Sequence, residues 1–185
     1  MTGFAIETKR LVLREWRRSD VVDLLGLRSD PRVMATLGPL QTEQECLETF
    51  ERQTDHQRAH GFCFWALEAK DSGRFIGTCG LVRAGDHLPF AGQIEIGWQL
   101  AFDQWGHGFA SEAAMASLDW GFAELAVDTI FAITSTGNVR SRAVMERLGM
   151  HYISGADFDH PKVAPGSALL RHVTYAISRP AWEAK

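Results

Sequence analysis

The stretch over residues 93–113, QIEIGWQLAFDQWGHGFASEA, constrains the fold of this chain more than any other. An apolar, strand-like run leads into a turn that carries Gly106 and Gly108, and the pattern after the turn predicts a helix over residues 109–124. Small residues recur on one face of this helix, at Ala110, Ala113, Ala114, Ser117 and Gly121. Because such a face can lie close against a sheet, the segment predicts a layered α/β structure.

The glycine turn and the helix start together predict an anion site. The first N–H groups of a helix lack an intrahelical acceptor, and with the positive end of the helix dipole they can bind a pyrophosphate without a lysine. A nucleotide-like cofactor is therefore expected, although a Gly-x-Gly turn can also be a plain loop. A P-loop needs Lys-Ser/Thr where Phe109 and Ala110 stand, and a Rossmann fingerprint needs a third glycine, so both fit poorly.

Three segments, in order along the chain, resemble the GNAT acetyltransferases, and specifically their RimJ/RimL-like branch. The run WGHGFASEA, which begins at Trp105, resembles the acetyl-coenzyme A signature. TKRLVLREWRRSD (residues 8–20) is similar to the opening strand and helix start of the branch, and NVRSRAVMERLGM (residues 138–150) resembles its Asn-x-x-Ser segment. Trp105 stands where the general signature has Gln or Arg, as is common in this branch, and Gln104 is given no side-chain role.

The resemblance implies one GNAT acyl-CoA N-acyltransferase domain over residues 1–185, with a mixed, strongly twisted α/β sheet splayed between its fourth and fifth strands and about four flanking helices. Hydrophobic periodicity predicts strands over residues 6–16, 62–69, 74–82, 94–100, 129–134, 151–154 and 172–178. It predicts helices over residues 20–29, 43–59, 109–124 and 139–148. Thr42 with Glu45 predicts a capping box, Asp30-Pro31 a turn, and residues 155–170 an irregular segment.

Acetyl-coenzyme A is the cosubstrate that the resemblance implies. Its pantetheine arm would pair with the backbone of the fourth strand at Trp98, Gln99 and Leu100. Gly97 either marks a bulge that aims an oxyanion donor at the thioester or only relieves crowding beside Trp98. The other cofactor-binding candidates are Trp105, Gly106, His107, Gly108, Phe109, Ala110, Ser111, Asn138, Ser141 and Arg142.

Several of these candidates also have a purely structural interpretation. Asn138 suits the N-cap of the helix that follows it. Arg140 and Arg142 are alternatives for the ribose phosphate, and either can equally be a solvated arginine on a helix turn. Glu112 would support the start of its helix electrostatically.

The reaction implied is attack of an amine on the thioester in a ternary complex, with no acyl-enzyme because no nucleophile is placed. Glu95 lies in an otherwise apolar strand, near the position where family members often carry the base, and burial would raise its pKa. Because side chains alternate along a strand, Glu95 can also face solvent opposite Ile94 and Ile96. Ser141 would donate a hydrogen bond to the departing sulfur, or is only a first-turn helix residue.

The acceptor is expected to be a small-molecule amine or a protein N-terminus. His160, His172 and Tyr175 are candidates for its pocket, which the segment over residues 155–170 could close, although Tyr175 also reads as a packed strand residue. Two other functions stay open: a non-catalytic acyl-CoA-binding sensor or assembly module, and transfer of a longer acyl chain.

Composition limits the partners further. A net charge of −4, a pI near 6.0 and the lack of a basic run argue against nucleic acid and membrane surfaces. The seven histidines lack metal-site spacing, so no metal is expected. With no leader, no apolar run near ~20 residues and no CxxC pair, the sequence predicts a cytoplasmic monomer or homodimer whose Cys63 and Cys79 pack in the core.

Overall fold

The computed structural model describes residues 3–185. The strands are β1 Ala5–Glu7, β2 Leu11–Arg14, β3 Phe64–Ala69, β4 Phe75–Arg83, β5 Ile94–Leu100, β6 Thr129–Ser135, β7 His151–Tyr152, β8 Phe158–Asp159 and β9 Arg171–Ser178. The helices are α1 Asp20–Arg28, α2 Pro31–Met34, α3 Glu43–His60, α4 Phe109–Glu124, α5 Val139–Arg147 and α6 Arg179–Glu183. A 3-10 turn spans Phe102–Gln104.

All nine strands form one sheet in the order β1-β2-β3-β4-β5-β6-β9-β7, with β8 also paired to β9. Neighbours are antiparallel except β5 and β6, which run parallel and pair only at Ile94 with Ile130 and at Glu95 with Phe131. Beyond Glu95 the two strands diverge, while β6 goes on pairing with β9 as far as Ser135. The predicted splay is confirmed, since β5 and β6 are the fourth and fifth strands of the sequence prediction.

The strand predicted over residues 6–16 is wrong as a single element, because a turn divides it into β1 and β2. The hydroxyl of Thr8 accepts a hydrogen bond from the N–H of Leu11 (2.9 Å) and closes that turn. Within residues 3–185, six helices flank the sheet, whereas about four are predicted. One of the additional helices is α2, where a turn was expected, and Asp30 caps it by accepting from the N–H of Arg32 (2.8 Å).

The two faces of the sheet bury different helices. Alternate residues such as Trp65, Ile94 and Ile96 form a core with α4, and α1 and α3 pack on the opposite face around Ala66 and Phe75. The small-residue face of α4 is needed for this approach, since a Cβ on Gly121 would lie 2.5 Å from Leu81 Cδ1.

The predicted capping box of α3 is confirmed at Thr42. Across residues 3–185, no helix combines the length and apolarity needed to cross a membrane.

Glu112 ties the first motif of the chain to the start of α4. Its carboxylate accepts hydrogen bonds from Thr8 Oγ1 (2.6 Å), the backbone N–H of Arg10 (2.8 Å) and Arg10 Nε (2.6 Å). Burial alone would raise the pKa of Glu112, but these hydrogen bonds lower it below its ordinary 4.5. Besides the electrostatic role expected at the helix start, Glu112 therefore joins the start of α4 to residues 8–10 by hydrogen bonds.

We expect Glu112→Gln to lower the free energy of unfolding by about 1–2 kcal/mol at pH 7, because charge-assisted hydrogen bonds are lost. A carboxylate whose pKa is depressed by folding stabilises the protein above its unfolded pKa, and this contribution disappears as the pH falls through the folded pKa. Urea unfolding at pH 7 and below pH 4.5 measures both effects. Glu124→Gln, at the exposed end of the same helix, is the control and should change stability by less than about 0.5 kcal/mol. An equal loss at both pH values would contradict the assignment.

Candidate active site

The turn before α4 presents a series of unused backbone donors. Gly106 and Gly108 both have φ of +79°, a left-handed conformation that favours glycine. The first backbone hydrogen bond of the helix runs from the N–H of Glu112 to the carbonyl of Gly108 (3.0 Å). Within residues 3–185, none of the amides of residues 106–111 donates a hydrogen bond. We call these donors, together with the positive end of α4, the anion nest, because their geometry suits the anion that the sequence predicts here.

A cleft of about 680 Å³ extends from this nest into the splay. Most of the predicted cofactor-binding residues line it: Trp98, Gln99, Leu100, Trp105, Gly106, Gly108, Phe109, Ala110, Ser111, Asn138 and Ser141. The opposite wall comes from α2 and the chain that follows it, including Val33 and Thr36. Since β5 and β6 part here, the cleft connects the α4 and α5 side of the sheet with the α1 and α2 side.

Two predicted cofactor-binding residues do not line the cleft. Arg142 turns toward β9, where its Nε donates to the hydroxyl of Tyr175 (3.3 Å) and its Nη1 to the carbonyl of Thr136 (3.3 Å). His107 is exposed; its backbone carbonyl accepts a hydrogen bond from Arg10 Nη1 (2.9 Å), and its ring lies 5.8 Å from that of Phe109.

Three other arginines line the cleft: Arg140, which the sequence analysis names with Arg142 for the ribose phosphate, and Arg32 and Arg147, which it does not name. The guanidinium of Arg140 lies over the ring of Trp105 (4.8 Å), and that of Arg32 over Phe102 (4.0 Å). Arg147 Nη1 donates to Ser111 Oγ (2.8 Å) beside the nest. Helical spacing was the available signal, because positions 140, 143, 144 and 147 share one face of α5, whereas position 142 lies off that face.

The backbone of β5 offers a hydrogen-bond donor without a bulge. β5 keeps a regular register with β4 from Ile94 to Leu100, so the bulge expected at Gly97 is wrong. Gly97 instead makes room for Phe64, whose ring atom Cζ would lie 2.9 Å from a Cβ there.

The direction of the β5 amides follows from the register. Ala101 N donates to the carbonyl of Ile76 (3.0 Å), and Ala84 N donates to that of Gln93 (2.8 Å). Odd-numbered β5 residues therefore form the hydrogen-bonded pairs with β4, because such pairs alternate along an antiparallel ladder. The N–H groups of Trp98 and Leu100 consequently point away from β4, into the splay.

Asn138 and Ser141 stand at the start of α5, where the cleft meets it. Asn138 is the N-cap: its Oδ1 accepts from the N–H of Ser141 (3.2 Å), and its Nδ2 donates to Thr134 Oγ1 (2.9 Å). The structural interpretation of Asn138 is thus correct, and the same contacts hold its backbone beside the cleft. The Ser141 hydroxyl makes no hydrogen bond within the described chain.

Glu95 lies where β5 and β6 are still paired, next to the cleft but outside its lining. Its side chain points to the face opposite Ile94 and Ile96 and is partly buried, not freely solvated. Burial raises the pKa of Glu95 from 4.5 to about 7, and the charge of Lys162 partly offsets that rise. Such a carboxylate can take up a proton near neutral pH.

The acceptor candidates separate into two places. His160 and His172 pack against each other (ring centroids 4.8 Å apart), and His87 lies 5.7 Å from His160. Burial lowers the pKa of His160 to about 4 and also lowers those of His172 and His87. Tyr175 is buried on the other face of β9, where its hydroxyl donates to Glu146 Oε1 (3.1 Å), so it does not share a pocket with the histidines.

The fold and the cleft are those of an acyltransferase with a nucleotide-like acyl donor. The family model "Acetyltransferase (GNAT) domain" matches residues 10–151. The chain belongs to the GNAT acetyltransferases, and it is an N-acetyltransferase with acetyl-coenzyme A as its cosubstrate. Within the described residues, no group of three or more metal-ligating side chains could hold a metal ion.

Known proteins similar to this chain include two relatives from Bacillus subtilis and one solved structure that shares the fold. YkkB of Bacillus subtilis (strain 168), named an uncharacterized protein, is 35% identical over 146 residues, which cover 78% of this chain and 84% of YkkB. YoaA of the same organism, named an uncharacterized N-acetyltransferase, is 27% identical over 150 residues, which cover 78% of this chain and 81% of YoaA. An acetyltransferase structure from Agrobacterium tumefaciens has a TM-score of 0.78 at 24% identity and covers 97% of this chain and 96% of its own.

RimL, a ribosomal L7/L12 alpha-N-protein acetyltransferase solved with coenzyme A, has a TM-score of 0.77 at 16% identity, with 96% of this chain and 99% of RimL covered. That likeness establishes a shared fold, and it leaves membership of the RimJ/RimL-like branch as a prediction.

Proposed function

We propose that this enzyme is a RimJ/RimL-like N-acetyltransferase that transfers the acetyl group to a primary amine, either a small molecule or a protein N-terminus, by direct attack in a ternary complex. The observation that carries this proposal is the continuous cleft that runs from the anion nest into the splay and is lined by residues of α2, β5, α4 and α5, so that a donor and an acceptor can meet in one space. The order of the three motifs along the chain supports the branch.

The donor would be held at three positions along the cleft. The free amides of residues 106–111 and the guanidinium of Arg147 suit the pyrophosphate. Arg140 and Arg32, at the rim, suit the remaining phosphate. The outward C=O of Trp98 and the outward N–H of Leu100 suit the amides of the pantetheine arm, which would extend the sheet at the point where β6 leaves it.

The chemical step requires a base, an oxyanion donor and a partner for the leaving sulfur. The amine nitrogen attacks the thioester carbonyl carbon, the N–C bond forms, and the C–S bond breaks. Glu95 takes the proton lost by the nitrogen through an intervening water, since its carboxylate lies outside the cleft lining. The N–H of Trp98 stabilises the oxyanion, and the Ser141 hydroxyl donates to the departing thiolate.

Direct transfer is favoured over an acyl-enzyme by the state of the thiols. Cys46, Cys63 and Cys79 are all free and buried. Burial raises the pKa of each thiol, that of Cys79 to about 12, so a reactive thiolate is disfavoured.

Initial-rate kinetics and intact-protein mass spectrometry test this mechanism. With acetyl-coenzyme A and an accepted amine varied together, we expect intersecting double-reciprocal lines, because both substrates bind before any product leaves. Incubation with acetyl-coenzyme A alone should leave the protein mass unchanged. Parallel lines together with a gain of one acetyl group would instead show a ping-pong route through an acyl-enzyme.

A further inference from the structure

Arg28, the last residue of α1, is a partly buried cation whose hydrogen-bond acceptors among residues 3–185 are all neutral. Its Nε donates to Gln99 Oε1 (3.0 Å), and its Nη1 donates to Gln41 Oε1 (2.8 Å) and to Thr49 Oγ1 (2.9 Å). Among residues 3–185, no carboxylate forms an ion pair with Arg28, and its Nη2 has no acceptor. Three side-chain oxygens therefore fix the guanidinium in place without neutralising its charge.

Arg14 shows how the same chain treats an arginine with a structural role. Arg14 is 7% exposed, and its guanidinium pairs with Asp20 (2.8 Å) and with Glu68 (2.7 Å). A charge removed from water is costly unless an opposite charge and hydrogen bonds compensate it. Arg14 has both forms of compensation, whereas Arg28 has hydrogen bonds alone.

The surroundings of Arg28 increase the unmatched positive charge. Arg52 Nη2 donates to the same Thr49 hydroxyl (3.2 Å), which brings a second guanidinium to this point of α3. Burial, with a further contribution from Arg52, lowers the pKa of Arg28 to about 10, so the group stays charged at neutral pH. Two arginines without an anion between them form a site that attracts one.

Arg28 borders the acceptor end of the cleft. The side chain of Gln99 points toward α1 and α2. Positions 95, 97 and 99 share this face of β5, because side chains alternate along a strand. Gln99 lines the cleft and is also the residue that Arg28 Nε holds, so a single side chain separates Arg28 from the cleft. The acceptor must approach from this face, because the nest for the donor lies on the α4 side.

We propose that Arg28 is a specificity-determining residue that binds an anionic group on the acceptor, so that the favoured substrate is a small primary amine carrying a carboxylate or a phosphate. The proposal rests on the proposed function, since it names the acceptor of that same site. The anion replaces water at Nη2, and the oxygens of Gln41, Gln99 and Thr49 keep the guanidinium oriented for it.

Matched amines test this proposal. Glycine, β-alanine and γ-aminobutyrate are each compared with their amides, and ethanolamine with its phosphate ester, in acetyl transfer by the wild type and by Arg28→Met. In the wild type we expect kcat/KM for at least one anionic amine to exceed that of its neutral partner by about 10- to 100-fold, as for a hydrogen bond to a charged group. Arg28→Met should remove the preference and leave kcat/KM for the neutral amines within about threefold. Arg18→Met, which replaces an exposed arginine before α1, should keep it.

A binding measurement separates this inference from the proposed function. The shift in melting temperature caused by each amine is recorded with coenzyme A present, which requires no turnover. If none of these amines is acetylated but the anionic amines stabilise the wild type and not Arg28→Met, the small-amine acceptor of the proposed function fails and the role of Arg28 in binding the anion stands. If the wild type showed the same kcat/KM and the same shift in melting temperature for each anionic amine and its neutral partner, the inference would be overturned. If Arg28→Met lowered kcat/KM equally for each anionic amine and its neutral partner, that result would also overturn the inference. It would show that Arg28 only joins α1, α3 and β5.

Discussion

Glu95→Gln will lower kcat/KM by about 100-fold or more at pH 8, because a general base contributes roughly 10²–10⁴-fold to a proton-transfer step. Glutamine keeps the shape of the side chain and cannot accept the proton of the attacking amine. In the wild type, activity should rise as the pH passes through about 7, where burial places the pKa of Glu95. The variant should lose this rise and keep only the ionisation of the amine itself.

Glu95→Gln should raise the free energy of unfolding at pH 8, although it lowers the activity. The folded-state pKa of Glu95 is raised from 4.5 to about 7, so the carboxyl group favours the folded state below pH 4.5, and this contribution is lost as the pH rises through 7. At pH 8 the ionised carboxylate therefore costs up to about 3 kcal/mol, and Glu95→Gln should be the more stable protein by up to that amount. Urea unfolding at pH 8 and below pH 4.5 measures the difference.

Asp86→Asn is the matched control, because Asp86 is an exposed acid in the loop between β4 and β5. It should change neither the pH profile nor the stability by a measurable amount. A Glu95→Gln enzyme that kept the same rise in activity near pH 7 would remove Glu95 from the mechanism. A variant that was slower and also less stable at pH 8 would indicate a structural carboxylate.

The anion nest could be predicted from sequence because its cause is local. Gly106 and Gly108 set the turn, and the helix after them supplies unpaired amides by its geometry alone. The long helices and the capping box at Thr42 are local in the same sense. The splay was predicted from the family resemblance, since no residue pattern specifies where two strands part.

The features missed by sequence depend on contacts between distant residues. Arg28 meets Gln99 across 71 positions of sequence, and an arginine at the end of an amphipathic helix reads as solvated. The sequence names Glu95 but leaves two placements of its side chain open, and the choice between them depends on the register of β5 with β6. The error at Gly97 has a similar origin, because the ring of Phe64 in β3 explains this glycine better than a bulge does.

The second large effect concerns the anion nest, where Ser111→Glu is expected to weaken binding of acetyl-coenzyme A by about 100-fold. Ser111 lies in the first turn of α4 and lines the cleft beside the free amides. An acidic side chain in a first turn favours the helix electrostatically, so the unliganded variant should be as stable as the wild type or slightly more stable. The added carboxylate would occupy the site of the pyrophosphate and repel it. Isothermal titration measures the affinity, and thermal unfolding measures the stability.

Met115→Glu provides the matched control, because Met115 is an exposed residue one turn further along the same helix and does not line the cleft. Both variants add one negative charge to α4, so any difference between them reports the position of the charge and not its presence. Equal affinities in the two variants would place the phosphates of coenzyme A elsewhere. A loss confined to Ser111→Glu, with stability preserved, requires that the ligand place its negative charge on the amides at the start of α4, which is the physical basis of the proposed donor site.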